Sequence, residues 1–214
     1  MEIILDISAN TTNNDNKYFK KMLDALKKVD TGKHKIIIKT QIFKKAGSNV
    51  SISKEHFDYM YNYSKKLGYK CTASVFDKES LDFLLTYDVP FIKIANNKEL
   101  YWLIDEVPRK IPVYVSYDNK GYLADYEQYL PMCCISVYPA KKKQYDVAYR
   151  TLSTVSLFSP EYYSPKWISD HTEGLELVKE YKPLIWEKHY KLKDSTGLDA
   201  GSWAITPDEL KEIL

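Results

Sequence analysis

The sequence predicts an α/β fold, a compact (β/α)8 TIM barrel forming a single domain over residues 1–214. Three observations carry that prediction. Eight apolar runs of strand length recur, most followed by a polar stretch with helical spacing. The runs are apolar where they begin and polar where they end, as barrel strands are when their C-terminal ends carry the chemistry. A length of 214 residues with 44% apolar content suits one core. An open doubly wound sheet is the alternative, but no G-x-G-x-x-G phosphate loop is present.

The elements follow in order. The first run is EIILDIS (2–8), and NKYFKKMLDALKKV (16–29) repeats its apolar residues at helical spacing. KIIIKTQ (35–41) is the second run, and KEHFDYMYNYSKKLG (54–68) the next helix. YKCTASV (69–75) precedes the helical KESLDFLLTY (78–87). PFIKIA (90–95) and PVYVSY (112–117) open with proline, as strands can. The helical signals around 97–106 and 120–130 are weaker. MCCISVY (132–138) is the sixth run, with Cys133 and Cys134 read as strand core. Residues 139–163, rich in Lys, Tyr, Ser and Pro, read as a long loop with at most a short helix. SPKWISD (164–170), the helical TEGLELVKEY (172–181) and PLIWEKH (183–189) complete the eight runs. In TPDELKEIL (206–214), Thr206 is a natural N-cap and Pro207 suits a first helical turn.

Side chains two apart share a strand face. Lys39 therefore joins Gln41, Ser169 joins His171, and Glu187 joins His189. With Asp6, Ser74, Lys93, Ser116, Ser136 and Tyr138, these groups converge at the barrel mouth. Two lysines among serine hydroxyls suit a phosphate or carboxylate ligand. The plainer alternative is lysines merely neutralised by Asp6 and Glu187. His171 and His189, on adjacent strands, suit a divalent ion with open positions for substrate. By ligand type Mn2+ is expected, with Mg2+ or Co2+ as alternatives; two ordinary buried histidines are the plainer case.

The formal net charge of +2 gives no case for a nucleic-acid partner. No window has the roughly 20 apolar residues of a membrane span, and the first residues carry no leader pattern. Three cysteines without framework spacing fit a reduced, cytoplasmic setting.

Several segments together are similar to a known family. ILDISAN, KTQIF, ASVFD, FIKIA, CCISVYP, ISDHTEG, IWEKHY and GLDAGSWAITPDEL occur in the order of the sialic acid synthase (N-acetylneuraminate synthase) family. The family's patterns run roughly E-I-G-x-N-H-N-G, K-x-Q-T-F, S-T-P-F-D, K-I-A-S-G, C-x-S-x-Y-P, S-D-H-T, E-K-H-F and a late P-D-H. The resemblance implies a metal-dependent barrel that condenses phosphoenolpyruvate with an N-acyl hexosamine or related aldehyde, releasing phosphate. It implies His171 and His189 as metal ligands. It implies Lys39, Ser74, Lys93, Ser136 and Ser169 as the phosphoenolpyruvate set, with Gln41, Asn96 and Ser116 as further substrate-binding candidates beside them. Asp6, Glu187, Asp199 and Tyr138 are then the catalytic candidates.

The chain also departs from those patterns. Thr11 stands for the family's His, Asn96-Asn97-Lys98 for its Ser-Gly-acid turn, Tyr117-Asp118 for its Thr-Gly, and Ala200 for its late His. The C-terminal antifreeze-like domain that gives family members a sugar-site arginine is not expected after Leu214. A homodimer or a separate chain supplying that arginine is the partner expectation. Two other functions stay open: a barrel that binds a ligand or partner without turnover, and another metal-dependent lyase or isomerase.

Overall fold

The protein is described by a computed structural model covering residues 1–44, 49–118, 129–155 and 167–214. Eight parallel strands close a barrel in chain order: β1 (Glu2–Asp6), β2 (Lys35–Ile42), β3 (Lys70–Val75), β4 (Ile92–Ile94), β5 (Val113–Tyr117), β6 (Leu130–Cys134), β7 (Trp167–Asp170) and β8 (Ile185–His189). β8 pairs with β1 and completes the ring. The described helices are α1 (Ala9–Thr12), α2 (Asn16–Val29), α3 (Lys54–Lys66), α4 (Lys78–Leu84), α5 (Leu103–Glu106), α6 (Lys142–Val155), α7 (Glu176–Tyr181) and α8 (Pro207–Leu210). Among the described residues, no helix is long and apolar enough to cross a membrane.

Strand alternation builds two cores. Outward residues such as Ile3, Leu5, Ile38, Ala73, Val115 and Trp186 pack under the helices. α2 answers with Phe19, Met22, Leu23 and Leu26, one face at i, i+3, i+4 and i+7, and Asp15 caps its first turn. Inward residues Ile4, Ile37, Phe91, Tyr114 and Met132 form a separate apolar floor inside the barrel. Phe91 and Tyr114 stack there with ring centroids 4.2 Å apart. Two residues further along each strand, the inward positions turn polar. The floor closes the barrel below, and the polar layer faces the mouth.

Several sequence expectations need correcting. Residues 142–155 form a helix of four turns where a loop was expected, because Tyr145 and Ala148 bury one face against the barrel. The Tyr145 hydroxyl donates to Ser169 O at 2.7 Å and accepts from His171 N at 3.0 Å, tying the helix to β7. That tie is invisible in a stretch dominated by Lys and Tyr. β6 ends at Cys134 rather than 138, leaving Ser136 and Tyr138 in the loop above it, where a cis Tyr138-Pro139 bond turns the chain. The helices expected at 78–87, 172–181 and 206–214 are shorter, at 78–84, 176–181 and 207–210. The last keeps its expected start, a capping box between Thr206 and Glu209. Residues 120–128 of the weak helical stretch expected at 120–130 and residues 164–166 of the run at 164–170 fall outside the described residues, and Leu130 opens β6 instead.

Candidate active site at the barrel mouth

Register assembles the polar layer. Asp6 lies opposite both Lys39 and His189, Ser74 lies between Gln41 and Lys93, and Ser169 lies between Cys134 and Glu187. Above the floor opens a cavity of about 510 Å³. All fourteen site residues named from the sequence line it: Asp6, Lys39, Gln41, Ser74, Lys93, Asn96, Ser116, Ser136, Tyr138, Ser169, His171, Glu187, His189 and Asp199.

The bottom of the cavity is a buried charge cluster. Lys39 Nζ donates to Asp6 Oδ2 at 2.7 Å and to Ser74 Oγ at 3.0 Å, and lies 3.9 Å from Glu187 Oε1. Lys93 Nζ donates to Ser116 Oγ at 2.6 Å and to Glu187 Oε1 at 3.3 Å. Gln41 Nε2 donates to Asp6 Oδ2 at 3.2 Å, and Ser169 Oγ to Glu187 Oε1 at 3.1 Å. Higher up, Asn96 Nδ2 donates to Ser136 Oγ at 3.0 Å. Only 1–2% of either lysine's surface is exposed, a costly placement for charge unless paired. The pairing with Asp6 and Glu187 is therefore real, yet it does not exhaust the cluster. Asp6 Oδ1 and Glu187 Oε2 are buried without a hydrogen-bond partner. Glu187 Oε2 has only the Lys93 ammonium at 3.2 Å.

These charges set each other's protonation. Burial works against ionised Glu187, but Lys93 and Lys39 outweigh it and hold the carboxyl at about 2. Burial likewise opposes charged Lys39, and Asp6 and Glu187 overcome it to raise the ammonium above its ordinary value. Glu187 is thus a fixed anion at neutral pH.

The two histidines stand side by side, ring centroids 5.6 Å apart. His171 Nδ1 lies 2.7 Å from Ile135 O. A carbonyl only accepts, so Nδ1 carries the proton and the neutral ring's lone pair sits on Nε2. His189 Nδ1 is buried without a hydrogen-bond partner, 3.8 Å from Asp6 Oδ2 and 3.9 Å from Asp199 Oδ1. Burial lowers the His189 pKa despite Asp199 and Asp6, which favours the neutral, metal-ligating form. For His171 burial also lowers, but the Cys134 sulfur and Ile135 carbonyl reverse the direction and raise it. His189, and His171 in its neutral form, offer ring nitrogens for two ligand positions of a divalent ion. Among the described residues, no group of three or more His, Cys, Asp or Glu is assembled to hold one. The other positions would fall to substrate and water oxygens.

Sequence reasoning missed several lining residues. Cys134 belongs to the cavity and not to the outer core, which holds Cys133. Its parity with Met132 was the available signal. Ser8 donates to Asp199 Oδ2 at 2.5 Å, and its spacing from Asp6 was a similar signal. Phe76, Leu198 and Trp203 also line the cavity from loops, where no periodicity reveals direction.

Comparison with known proteins agrees with this fold. A model of the NeuB family matches residues 14–116. N,N'-diacetyllegionaminic acid synthase of Legionella pneumophila is 24% identical over 189 residues, 77% of this chain and 51% of that protein. The chain thus spans about half the length of this curated relative. An N-acetylneuraminic acid synthetase structure from Leptospira borgpetersenii shares the fold with a TM-score of 0.74 at 22% identity, covering 99% of this chain and 80% of that one. A putative spore coat polysaccharide biosynthesis protein E from Chromobacterium violaceum gives 0.79 at 17% identity, covering 99% and 72%.

Proposed function

Starting from a sialic acid synthase-like barrel, we propose that this chain condenses phosphoenolpyruvate with an N-acyl hexosamine or related aldehyde. The product is a nonulosonic, sialic-type acid, and inorganic phosphate is released. The carrying observation is the buried Asp6–Lys39–Glu187–Lys93 cluster, open to a cavity beside two histidines, in which Asp6 Oδ1 makes no hydrogen bond and Glu187 Oε2 has only an ion pair with Lys93.

In this reading Lys39 and Lys93 supply positive charge to the phosphate and carboxylate of phosphoenolpyruvate. Gln41, Asn96 and the hydroxyls of Ser74, Ser116, Ser136 and Ser169 orient those groups. The methylene carbon forms the new carbon–carbon bond to the aldehyde carbon, whose oxygen takes up a proton. Positive charge develops at the enol carbon, and ionised Glu187 stabilises it electrostatically. Water adds there, losing a proton that a carboxylate such as Asp6 accepts, and the carbon–oxygen bond to phosphate breaks. Asp199 and Tyr138 line the cavity where the acceptor would lie. His171 and His189 would hold a divalent ion, Mn2+ before Mg2+ or Co2+, acting as a Lewis acid on the aldehyde oxygen. Among the described residues no arginine lines the cavity, and a second copy or another chain is one source that could bring one to it. A phosphoenolpyruvate substrate and three free cysteines support a cytoplasmic setting.

The test is calorimetric titration of phosphoenolpyruvate with and without Mn2+, followed by an aldehyde panel scored by phosphate release. Micromolar to millimolar binding and phosphate release are expected. His189→Ala is expected to lose Mn2+ while keeping its fold; undiminished Mn2+ in the purified variant would sink the two-histidine site. A ligand-binding barrel without turnover is the second reading, favoured by lysines that already have carboxylate partners. It calls for binding without phosphate release. Mn2+ binding without phosphoenolpyruvate would indicate a lyase or isomerase instead.

A further inference from the structure

The two histidines of the mouth are held in different ways. His189 is the last residue of β8, paired with Asp6 in the barrel ladder, and its carbonyl accepts from Ile205 N at 2.8 Å. His171 stands one residue past the end of β7, whose last ladder pair is Asp170 with Lys188. The ladder therefore does not fix it, and its buried N–H and carbonyl need partners elsewhere.

Those partners come from one stretch of chain, residues 135–145. Tyr145 Oη accepts from His171 N at 3.0 Å, and Ala140 N donates to His171 O at 2.8 Å. Ile135 O takes the ring Nδ1 proton at 2.7 Å, and the Tyr138 ring lies 4.2 Å from the imidazole. The Tyr145 hydroxyl also donates to Ser169 O at 2.7 Å. It thus bridges the backbones of Ser169 and His171, two residues whose side chains line the cavity. Tyr145 itself lies in the outer core, wholly buried and not among the cavity-lining residues.

We propose that Tyr145 is a positioning residue for the mouth: through the His171 backbone it sets where imidazole Nε2 points, and so how tightly the histidine pair takes a divalent ion. The proposal rests on the two-histidine metal reading above. Three fixed points define the imidazole's place, two on the His171 backbone and one at Nδ1. Removing the Tyr145 hydroxyl frees one of them and leaves His171 N–H and Ser169 O buried without that partner. A shift of the strand end repairs the loss, and the same shift carries Nε2 away from its place beside His189. His189, held by the ladder, needs no such clasp.

The probe is Mn2+ alone, its Kd read by calorimetry well below the unfolding transition. Tyr145→Phe keeps the ring and is expected to raise that Kd about tenfold or more. Tyr69→Phe is the control. The Tyr69 hydroxyl, just ahead of β3 at the other end of the barrel, donates to Asp30 Oδ2 at 2.9 Å. Its removal also takes a hydrogen bond from the fold but should leave the Mn2+ Kd unchanged. In the parent, Mn2+ should slow hydrogen exchange at the His171 amide, because opening the bond to Tyr145 undoes the site. At Mn2+ tenfold above its Kd the slowing should be about tenfold. This measurement needs no variant and carries the test if Tyr145→Phe misfolds. A folded Tyr145→Phe with the parent's Kd, an equal loss in Tyr69→Phe, or a His171 amide indifferent to Mn2+ overturns the proposal while the metal reading stands. A parent that takes up no Mn2+ overturns both.

Discussion

Strands β7 and β8 each carry two sets of polar side chains, one facing into the barrel and one facing out. The inward set includes Glu187, tied to Lys93 and Ser169. The outward set is Asp170 and Lys188, 3.1 Å apart and with no exposed side-chain surface. Asp170 Oδ1 accepts from Thr172 N at 2.8 Å and Thr172 Oγ1 at 2.7 Å, while Oδ2 accepts from Trp186. Lys188 Nζ also donates to Thr172 O at 2.6 Å. Both carboxylate oxygens of Asp170 are satisfied; the inward cluster leaves Asp6 Oδ1 and Glu187 Oε2 without hydrogen bonds. Saturated buried charge ties strands together. Buried charge that keeps unused hydrogen-bonding capacity beside a cavity is free to meet a ligand, as the proposed function requires.

The sharpest break of that comparison is Lys188→Ala. It leaves Asp170 buried and without its cation, a loss of about 3–5 kcal/mol in stability. Phosphoenolpyruvate affinity, measured well below the unfolding transition, should stay the same. Chemical denaturation and calorimetry read the two effects separately. A stable variant with weakened ligand binding would reverse the roles assigned to the two sets.

Acid and alkali should separate the sets next. Glu187 is held at about 2 in the fold, against an ordinary 4.5. Its contribution is fully present above 4.5 and is lost as pH falls towards 2, about 3 kcal/mol for a shift of that size. Glu187→Gln should flatten this part of the acid limb in denaturation midpoints taken across that range. An unchanged limb would remove Glu187 from the coupling. On the alkaline side the two lysines pull in opposite directions. Lys39 is raised, burial being outweighed by Asp6 and Glu187, so its contribution fades as pH climbs above its ordinary 10.5. Lys188 is lowered, burial outweighing Asp170. Between its lowered value and 10.5 the unfolded chain binds more protons, so stability rises with pH there.

Most of the barrel and the inward set were legible because strand alternation fixes direction without knowledge of neighbours. Once 35–41 and 183–189 are strands, Lys39 must share a face with Gln41, and Glu187 with His189. The same rule put Asp170 and Lys188 on the opposite face, but strands buried on both sides give no sequence sign of what that charge does. Their partner Thr172 lies past the strand end, and the contact appears only on folding. Helix α6 was hidden for a related reason, since one hydroxyl of Tyr145 joins it to the backbone of β7. Trp203 was unreadable because its direction depends on Gly201, where a Cβ would stand 2.2 Å from the indole, and on Lys191 Nζ, which donates to Gly201 O at 2.7 Å.

The finest test of the comparison is Lys93→Ala. In the outward set each side chain satisfies a partner, so a deletion is felt in stability. Lys93 instead sits between Ser116 and a Glu187 whose Oε2 already lacks a hydrogen bond. Glu187 would retain Lys39 at 3.9 Å and the Ser169 hydroxyl. The vacated space adjoins the cavity, where water can solvate the carboxylate. Stability should therefore fall less than in Lys188→Ala. Phosphoenolpyruvate should lose a charge-assisted hydrogen bond, about 1.5–3 kcal/mol, or roughly a 10- to 150-fold rise in Kd. Unchanged affinity would make Lys93 a structural counterion of Glu187, and the two sets of charges would then differ in packing alone.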